Sequence, residues 1–434
     1  MSALAEVLRA RGMEVTGSDM QSSDATARLE TLGIPVSIGH EAVNIGNADC
    51  VIRTAAVHDD NPEVQEVRRL GLPLWERAQA WGHIMRDHRQ ALCIAGTHGK
   101  TTATSMAAHV TLEKGLDPTI MIGGILPLIG GGHRVGANEL IVMEACEYCN
   151  SFLSFSPTIA MILNIEEDHL DCFKDMDDIL ASFSRFALLV PEDTGHVLLC
   201  ADDPGAMQLS HLPRNILTFG QAIGADVHPE NLVMERGYAR FTVTVQGRPY
   251  ASIKLKVPGR HNLSNALGVA AAAWCLGIDG ASVQRGLESY RGTERRFEHV
   301  GEYNGATVVD DYAHHPSEIT ATLTAARAMD FERILCVFQP HTYTRTAALF
   351  DGFVRALGDA DMVFIGEIYA AREQNTIGIS SEMLAEKIPN ATFFANMDDI
   401  VPALSEAARP GDLILTMGAG DIWQVGKHLV ATNT

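Results

Sequence analysis

Residues 96–102, Gly-Thr-His-Gly-Lys-Thr-Thr, have the composition of a loop that binds phosphate. They follow a compact apolar strand at residues 90–95 and precede a helix that ends near Gly115. Glycines let backbone N–H groups approach phosphate oxygens, and the start of a helix adds a favourable dipole. We expect Lys100 to reach the β- and γ-phosphates of a nucleotide and Thr101 to place its hydroxyl on Mg²⁺. The residues expected to contact the nucleotide are Gly96, Thr97, His98, Gly99, Lys100, Thr101 and Thr102.

The residues after two further predicted strands could complete a metal site beside those phosphates. Glu144 follows the apolar strand at residues 140–143, and His169 lies in the polar stretch after the strand at residues 159–163. In an open α/β sheet the ligand lies beyond the carboxyl ends of the strands. We therefore expect Glu144 and His169 to hold a second Mg²⁺ next to the nucleotide phosphates.

Two dense polar clusters occur in the last third of the chain, each directly after an apolar strand. The first is Asp-Asp-Tyr-Ala-His-His-Pro at residues 310–316, and the second is Gln-Pro-His-Thr-Tyr-Thr-Arg at residues 339–345. Because both follow strands of one predicted parallel sheet, we place them on the same rim of that sheet. A polar, aromatic and cationic rim of this kind suits a small zwitterion or the ribose of a nucleotide.

The elements that must position these groups form three blocks of strands and helices. In the third block, apolar strands near residues 306–309, 333–338, 361–365 and 412–417 alternate with helical patterns. This alternation is typical of a parallel sheet with helices on both faces. The expected fold class is α/β with three domains, and the expected domain boundaries give residues 1–84, 85–296 and 297–434.

The first block has the pattern of an incomplete Rossmann-type unit. Residues 1–12 predict a helix, residues 13–16 predict a strand, and Gly17, Ser18 and Asp19 follow. A helix, a strand and then an acidic residue form the second half of such a unit, whose first strand and glycine-rich loop come earlier. We therefore expect the chain to begin inside a βαβ unit, without that strand and loop.

Composition narrows the class of protein. The chain has 434 residues, of which 54 are acidic and 33 basic, so its formal charge of −21 makes nucleic acid an unfavourable partner. Its apolar runs fall short of about 18 residues, so we expect no transmembrane helix and no membrane partner. The N-terminus lacks the apolar core of a signal peptide. The eight cysteines, including Cys146 and Cys149, are expected to be reduced thiols in a cytoplasmic protein.

Taken together, the motifs resemble those of the Mur ligase family over essentially the whole chain and in the family's order. They are residues 96–102, 164–171 (Asn-Ile-Glu-Glu-Asp-His-Leu-Asp), 259–266 (Gly-Arg-His-Asn-Leu-Ser-Asn-Ala), Arg295-Arg296-Phe297, 310–316 and 339–346. The resemblance implies a Rossmann-like UDP-binding domain, incomplete here, a central P-loop ATPase domain and a C-terminal Rossmann-like domain that binds an amino acid.

The resemblance also implies an activity in the synthesis of peptidoglycan precursors. The expected reaction is the ligation of L-alanine to the carboxylate of UDP-N-acetylmuramate, with ATP and Mg²⁺ as cofactors. ATP would phosphorylate the muramate carboxylate, and the amine of L-alanine would then attack the acyl phosphate. A protein assists such a phosphoryl transfer by positioning and charge neutralisation. We expect a monomer or a weak homodimer.

The resemblance assigns a role to each matching residue. The catalytic groups would be Lys100, Glu144 and His169, and the Mg²⁺ ligands would be Thr101, Glu144 and His169. Further nucleotide contacts would come from His261, Asn262, Asn265, Arg296 and Asp311. The UDP-sugar site would include Ser18 and Asp19, and the amino acid pocket would include Tyr312, His341 and Arg345. In that pocket Arg345 would pair with the carboxylate of alanine.

Departures from the family pattern leave alternatives open. Thr342 stands where the family often has Arg, so the sequence does not fix strict selectivity for the amino acid. A sister ligase that adds a preformed peptide to UDP-N-acetylmuramate in cell-wall recycling has similar motifs but needs a roomier pocket. A non-catalytic nucleotide-binding paralogue is the third alternative, and the intact phosphate and metal residues disfavour it.

Overall fold

The computed structural model describes residues 1–170 and 172–432. Asp171, the last residue of the motif at residues 164–171, lies outside the described residues. The described part of the chain forms two two-stranded sheets, then a ten-stranded sheet, then a six-stranded sheet. Helices separate most of the strands, so the expected α/β class is confirmed. None of the helices in the described part combines the length and the apolar character that a membrane span requires.

The first block contains short helices and four three-residue strands. The helices are α1 (Ser2–Ala10), α2 (Asp24–Thr31), α3 (Pro62–Leu70) and α4 (Arg77–Met85), and a 3-10 helix spans Ala42–Ile45. The strands are β1 (Gly17–Asp19), β2 (Val36–Ile38), β3 (Val51–Arg53) and β4 (Leu74–Glu76). β1 pairs in parallel with β2, and β3 pairs in parallel with β4. Within the described residues no ladder joins these two pairs.

The first strand lies later in the chain than the sequence predicted. Residues 13–16 form no strand, whereas Gly17–Asp19 pair with Val36–Ile38. Strand formation requires a neighbour that completes the backbone hydrogen bonds, and that neighbour begins opposite Gly17. The expected first strand and glycine-rich loop ahead of this unit stay a prediction.

The central block is built on the ten-stranded sheet. Its strands are β5 (Gln90–Ala95), β6 (Thr119–Leu126), β7 (Gly131–Arg134), β8 (Leu140–Glu144), β9 (Ile159–Ile162), β10 (His196–Cys200), β11 (Ile216–Phe219), β12 (Val227–Glu235), β13 (Tyr238–Val245) and β14 (Arg248–Lys254). Their order is β14-β13-β12-β11-β10-β9-β5-β8-β6-β7. The ladders from β6 to β12 are parallel, and β7, β13 and β14 join in antiparallel fashion.

Helices cover both faces of the central sheet. They are α5 (Lys100–Glu113), α6 (Met176–Ala187), α7 (Pro204–Met207), α8 (Arg260–Cys275) and α9 (Gly280–Ser289), with 3-10 helices at Pro127–Ile129, Tyr148–Ser154 and Gln208–His211. Side chains of β5 alternate between the two faces, as in any strand. Ile94 packs with α5, α8 and α9, while Cys93 packs with Leu4 of α1 and Trp81 of α4. Helix α8 begins at Arg260, so its first turn contains His261 and Asn262.

The third block is a six-stranded sheet covered on both faces. Its strands are β15 (Glu298–Tyr303), β16 (Ala306–Asp311), β17 (Ile334–Phe338), β18 (Met362–Gly366), β19 (Ala391–Phe394) and β20 (Leu413–Met417), in the order β15-β16-β20-β17-β18-β19. Its helices are α10 (Pro316–Arg327), α11 (Tyr343–Ala348), α12 (Phe350–Leu357), α13 (Ser381–Ala385), α14 (Ile400–Ala407) and α15 (Trp423–Ala431), with a 3-10 helix at Met397–Asp399. All pairings except β15–β16 are parallel. The four predicted strands of this sheet are confirmed as β16, β17, β18 and β20.

Candidate active site

Residues 96–102, here called the phosphate loop, connect strand β5 to helix α5 and include its first turn. The shape of this loop depends on Gly99. Helix α5 begins at Lys100, directly after this glycine. Gly99 has a left-handed conformation with φ +82°, and a Cβ there would lie 2.9 Å from Oδ1 of Asn265. Glycine satisfies both the backbone angle and the close approach. The loop can therefore bring the first amides of α5 next to Asn265 in helix α8.

Side chains beyond the end of β9 hold the phosphate loop in place. Oδ1 of Asn164 accepts a hydrogen bond from the backbone N–H of His98 at 2.7 Å, and Nδ2 of Asn164 donates to the carbonyl of His98 at 3.1 Å. Oγ1 of Thr97 accepts from the backbone N–H of Glu166 at 2.8 Å. The loop is therefore fixed at the carboxyl edge of the sheet, where ligands of α/β proteins bind.

Lys100 is buried and remains charged. Its Nζ donates to the carbonyls of Gly96 at 2.5 Å and Thr97 at 3.1 Å, and it forms an ion pair with Glu147 at 2.9 Å. Burial alone would lower the pKa of Lys100, but the nearby acidic groups, with Glu147 first among them, together outweigh burial and raise that pKa. The ammonium group is therefore a fixed positive charge at the start of α5.

Thr101 and Glu144 meet at the same sheet edge. Oγ1 of Thr101 donates to the two carboxylate oxygens of Glu144 at 3.1 and 3.2 Å. The backbone N–H of Gly123 donates to Oε2 of Glu144 at 2.7 Å, and Arg296 donates to Oγ1 of Thr101 at 3.4 Å. A hydroxyl and a carboxylate are thus oriented side by side, which is the kind of oxygen set that Mg²⁺ prefers.

The sequence predicted that His169 shares a metal site with Glu144, but in the structure His169 lies next to two other carboxylates. Its backbone is left-handed, with φ +54°. Its Nε2 lies 3.7 Å from Oε1 of Glu147 and 3.8 Å from Oδ2 of Asp168. Among the described residues these are its carboxylate neighbours within 4 Å. Glu147, rather than Glu144, therefore links His169 to Lys100.

A cavity of about 270 Å³ opens beside the phosphate loop. It lies between the central domain and helix α10 of the third domain. Most of the nucleotide contacts proposed from the sequence line it, namely His98, Gly99, Thr102, His261, Asn262, Asn265, Arg296 and Asp311. The structure therefore brings residues from four separate stretches of the chain to one cavity next to the loop.

Hydrogen bonds within the central domain hold two asparagine side chains that line the cavity. Nδ2 of Asn262 donates to the carbonyl of Pro258 at 2.7 Å, and Nδ2 of Asn265 donates to Oδ1 of Asn262 at 3.3 Å. Burial lowers the pKa of His261 to about 4, so its ring is neutral near pH 7. Burial raises the pKa of Asp311 to about 6, although Arg296 opposes this shift. The cavity lining therefore includes neutral amide and imidazole groups as well as the charged side chain of Arg296 and the carboxyl group of Asp311.

The predicted amino acid pocket residues lie on the rim of the third sheet, and Arg345 reaches the central domain. Oδ1 of Asp168 accepts from Nη2 and Nε of Arg345 at 2.9 and 3.1 Å. Nη1 of Arg345 lies 3.1 Å from Nδ1 of His341. The ring of Tyr312 packs against the guanidinium of Arg296, 5.0 Å from the ring centroid. The structure thus joins His341 with Arg345, and it places Tyr312 against Arg296, which lines the cavity.

Ser18 and Asp19 lie on β1 in a separate polar cluster of the first block. Oγ of Ser18 donates to Oε2 of Glu63 at 2.7 Å, and Oε1 of Glu63 accepts from Asn44 at the same distance. Oδ1 of Asp19 accepts from the backbone N–H of Gln21 at 3.1 Å. These contacts connect both residues to their own block and to no residue of the phosphate loop among the described contacts.

Comparison with known proteins shows what the chain is similar to. Three family descriptions match it in order: the catalytic domain of the Mur ligase family over residues 1–89, the Mur ligase middle domain over residues 94–273, and the glutamate ligase domain of Mur ligases over residues 295–420. The UDP-N-acetylmuramate–L-alanine ligase of Acetivibrio thermocellus is 49% identical, over 98% of this chain and 92% of that protein. The chain belongs to the Mur ligase family.

Solved structures of Mur ligases have the same architecture. The UDP-N-acetylmuramate–alanine ligase of Thermotoga maritima matches with a TM-score of 0.81 at 31% identity, covering 100% of this chain and 96% of that one. A murein peptide ligase from Psychrobacter arcticus matches with a TM-score of 0.72 at 24% identity, covering 99% and 96%. The second likeness concerns the fold alone. The three-domain α/β arrangement expected from the sequence is confirmed for this Mur ligase.

Three acidic residues of this Mur ligase's site were not among the predicted site residues. Glu147 pairs with Lys100, Asp168 pairs with Arg345, and Glu318 lies 3.1 Å from His98. Asp168 lies inside the motif at residues 164–171, and Glu147 lies three residues after Glu144, so the positions of both offered a signal. Glu318 follows His314 by one helical turn, but nothing in its local pattern indicates its contact with the phosphate loop.

The cysteines of this Mur ligase depart from the expectation of reduced thiols. Cys149 forms a disulfide with Cys172, and the two Cα atoms are 5.5 Å apart. Cys146 is free and exposed, so the C-x-x-C pair does not bond internally. The reason is spatial: the 3-10 helix that contains Cys149 lies next to the segment after His169, although 23 residues separate the two cysteines in sequence. The other described cysteines, Cys50, Cys93, Cys200, Cys275 and Cys336, are free.

Proposed function

We propose that this chain ligates L-alanine to the carboxylate of UDP-N-acetylmuramate, with hydrolysis of ATP to ADP and phosphate, in peptidoglycan precursor synthesis. The observation that supports this proposal most strongly is the position of two cationic side chains, Lys100 and Arg345, in the cleft between the central and third domains. Lys100 lies at the start of α5, and Arg345 reaches from the third domain to Asp168, the residue before His169. A phosphate group and an amino acid carboxylate could thus bind close together. The names of the relatives support the choice of substrates.

In this proposal the cavity beside the phosphate loop binds ATP. The triphosphate lies along the loop, where backbone N–H groups, the helix dipole and Lys100 neutralise its charge. Lys100 exchanges the carboxylate of Glu147 for phosphate oxygens. The adenosine part contacts His261, Asn262 and Asn265, and Arg296 with Asp311 completes the site at the edge of the third domain.

The residues present fit Mg²⁺. The adjacent oxygens of Thr101 and Glu144 suit a hard divalent cation, and His169 with Glu147 would complete a second position. When bound, the metal would neutralise charge on the phosphoryl oxygens during transfer. The chain's own groups hold the carboxylate acceptor and the γ-phosphate in line, so that the muramate oxygen attacks phosphorus and ADP leaves.

The amino acid binds on the third-domain side of the cleft. Arg345 exchanges Asp168 for the carboxylate of L-alanine, which gives a bidentate pair. His341 contacts Nη1 of Arg345, the guanidinium nitrogen that does not bond to Asp168, and thereby orients the guanidinium. Tyr312 closes the pocket next to Arg296. The uncharged amine of alanine then attacks the acyl carbon to form a tetrahedral intermediate. The nitrogen loses a proton to solvent, and the bond from the acyl carbon to oxygen breaks as phosphate leaves. No covalent bond to the protein is required.

The remaining assignments are also proposals. Ser18 and Asp19 contribute to the UDP-sugar site, and the domains comprise residues 1–84, 85–296 and 297–434. The protein acts in the cytoplasm, as a monomer or a weak homodimer. It uses neither nucleic acid nor a membrane as a partner.

Phosphate release tests the proposed reaction. The assay contains ATP, Mg²⁺, UDP-N-acetylmuramate and one of L-alanine, glycine, L-serine or a tripeptide. We expect release to be fastest with L-alanine and to depend on all components. Release with the tripeptide alone would instead identify a recycling ligase, and nucleotide binding without release under any condition would identify a non-catalytic protein.

A further inference from the structure

One contact joins the phosphate loop to helix α10 across the boundary between the central and third domains. Nδ1 of His98 lies 3.1 Å from Oε1 of Glu318, and Nε2 of the same ring lies 3.6 Å from Oε2 of Glu166. The side chains of His98 and Glu318 are only 12% and 14% exposed. His98 therefore has a carboxylate facing each ring nitrogen, one from its own domain and one from the third domain.

The two carboxylates fix the protonation state of His98. A neutral ring that donates from Nδ1 to Glu318 would direct the lone pair of Nε2 at the carboxylate of Glu166, which is repulsive. Burial alone would lower the pKa of His98, but Glu318 and Glu166 outweigh burial and raise it to about 9. The ring is therefore an imidazolium near pH 7.

The protonation of His98 also affects what the cluster of His98, Glu166 and His315 binds. His98, Glu166 and His315 offer ligand atoms within 4.8 Å of one another, a spacing that suits a metal ion. An imidazolium, however, has no lone pair to give to a metal. Nδ1 of His315 already accepts the backbone N–H of Ser317 at 3.3 Å at the start of α10. With His98 protonated, the three side chains form an ion cluster between the central and third domains.

Glu318 is held rigidly within α10. Its Oε2 accepts hydrogen bonds from the backbone N–H groups of His314 at 3.0 Å and His315 at 3.2 Å. A second link runs parallel to it, because Oγ of Ser317 donates to Oε2 of Glu166 at 2.5 Å. The first turn of α10 is therefore docked on the central domain through two adjacent residues, because Glu318 contacts His98 of the phosphate loop and Ser317 contacts Glu166 in the segment after β9.

We propose that Glu318 is a positioning residue that couples docking of the third domain to the conformation of the phosphate loop. By holding His98, Glu318 fixes the loop in the shape in which it borders the nucleotide cavity. Because Glu318 belongs to α10, the loop keeps this shape only while the third domain is docked. Nucleotide binding and domain closure then stabilise each other. This inference rests on the proposed nucleotide site and deepens it.

The test is the substitution Glu318→Gln in the full chain. Glutamine keeps the size and the acceptor oxygen for the N–H groups of α10, but it removes the charge that holds the imidazolium. We expect KM for ATP to rise about tenfold while kcat at saturating ATP changes by less than about threefold. Domain closure can be followed by small-angle X-ray scattering while a non-hydrolysable ATP analogue is added in the presence of Mg²⁺. The analogue concentration at which half of the molecules are closed should rise by a similar factor.

Two comparisons separate positioning from a structural role. Glu382→Gln removes an exposed carboxylate from α13 of the same domain, and both measurements should match those of the native protein. In a His98→Asn background, Glu318→Gln should have almost no further effect, because its partner is already absent. Native values for Glu318→Gln, or an undiminished effect in the His98→Asn background, would overturn the proposal.

Failure of this inference can be distinguished from failure of the proposed function. If calorimetry detects no binding of the ATP analogue to the native protein, the proposed nucleotide site is wrong and the coupling falls with it. If the native protein binds the analogue and Glu318→Gln behaves identically, only the coupling is wrong. Should Glu318→Gln fail to fold, Ser317→Ala removes the parallel link to Glu166. Ser317→Ala should raise both KM for ATP and the analogue concentration needed for half-closure. Native values of both quantities in Ser317→Ala would also overturn the proposal.

Discussion

The charged side chains of the candidate site are paired with one another. Lys100 pairs with Glu147, and Arg345 pairs with Asp168. A buried charge without a partner is costly, so each ligand must replace a carboxylate by a group of the same sign. Phosphate can replace Glu147 at Lys100, and an amino acid carboxylate can replace Asp168 at Arg345. The pairs therefore favour anionic ligand groups at two defined points.

Replacing Lys100 with alanine should abolish ATP-dependent phosphate release, because the contact with the β- and γ-phosphates and its charge are lost. We expect kcat/KM for ATP to fall by at least about a hundredfold in the phosphate-release assay. Lys114→Ala is the matched control, since Lys114 follows the other end of the same helix and pairs with Asp279. An active Lys100→Ala protein, with Lys114→Ala unchanged, would show that the loop does not bind phosphate as assigned.

The protonated state of His98 should make stability fall in alkaline solution. The pKa of His98 is raised from its ordinary value of 6.5 to about 9, so the folded protein binds this proton more tightly than the unfolded chain. The contribution is fully present below pH 6.5 and is lost as the pH rises through 9, and it amounts to about 3 kcal/mol at most. The melting temperature should therefore fall more between pH 7 and pH 9.5 in the native protein than in His98→Asn. Equal falls in the two proteins would contradict the raised pKa.

At the scale of elements, local patterns could be predicted and long-range pairing could not. The strand before the phosphate loop and the strands of the third sheet are short apolar runs, so each is visible in its own residues. β1 lies at Gly17–Asp19 because its partner lies at Val36–Ile38, which the residues of β1 do not reveal. Glu318 reaches His98 from 220 residues away for the same reason. The residues that line the cavity could thus be predicted from their motifs, whereas the contact of Glu318 with His98 could not.

The junction between β5 and α5 should tolerate no side chain at Gly99. Gly99 and Gly115 flank α5 with nearly equal φ values of +82° and +81°, but a Cβ at Gly99 would meet Asn265 at 2.9 Å and one at Gly115 would meet nothing within 4 Å. Both Gly→Ala changes should cost about 1 kcal/mol or more of backbone strain. Gly99→Ala should in addition weaken binding of the ATP analogue by at least about tenfold in calorimetry, because the loop must move. Equal nucleotide affinities for the two variants would show that the close approach to Asn265 does not matter.

For the whole molecule, the two outer domains meet the central sheet differently. Leu4 of α1 and Trp81 of α4 are buried with residues of the central sheet in one apolar core. The contacts of the third domain at the site are ionic and hydrogen-bonded, through His98, Asp168 and Arg345. Ligands can replace polar contacts but not a shared apolar core. Closure is therefore expected between the central and third domains, whereas the first domain keeps its apolar packing.

The net charge of −21 should govern association between copies of the chain. Like-charged molecules repel one another, and salt screens this repulsion, with a Debye length of about 30 Å at 0.01 M and about 8 Å at 0.15 M. We therefore expect sedimentation velocity to show a monomer at about 10 mM NaCl and any weak homodimer to strengthen at about 500 mM. A dimer that weakened with salt would require opposite charges to meet at its interface. That result would contradict this expectation, because attraction between local patches would then outweigh the repulsion of the whole molecule.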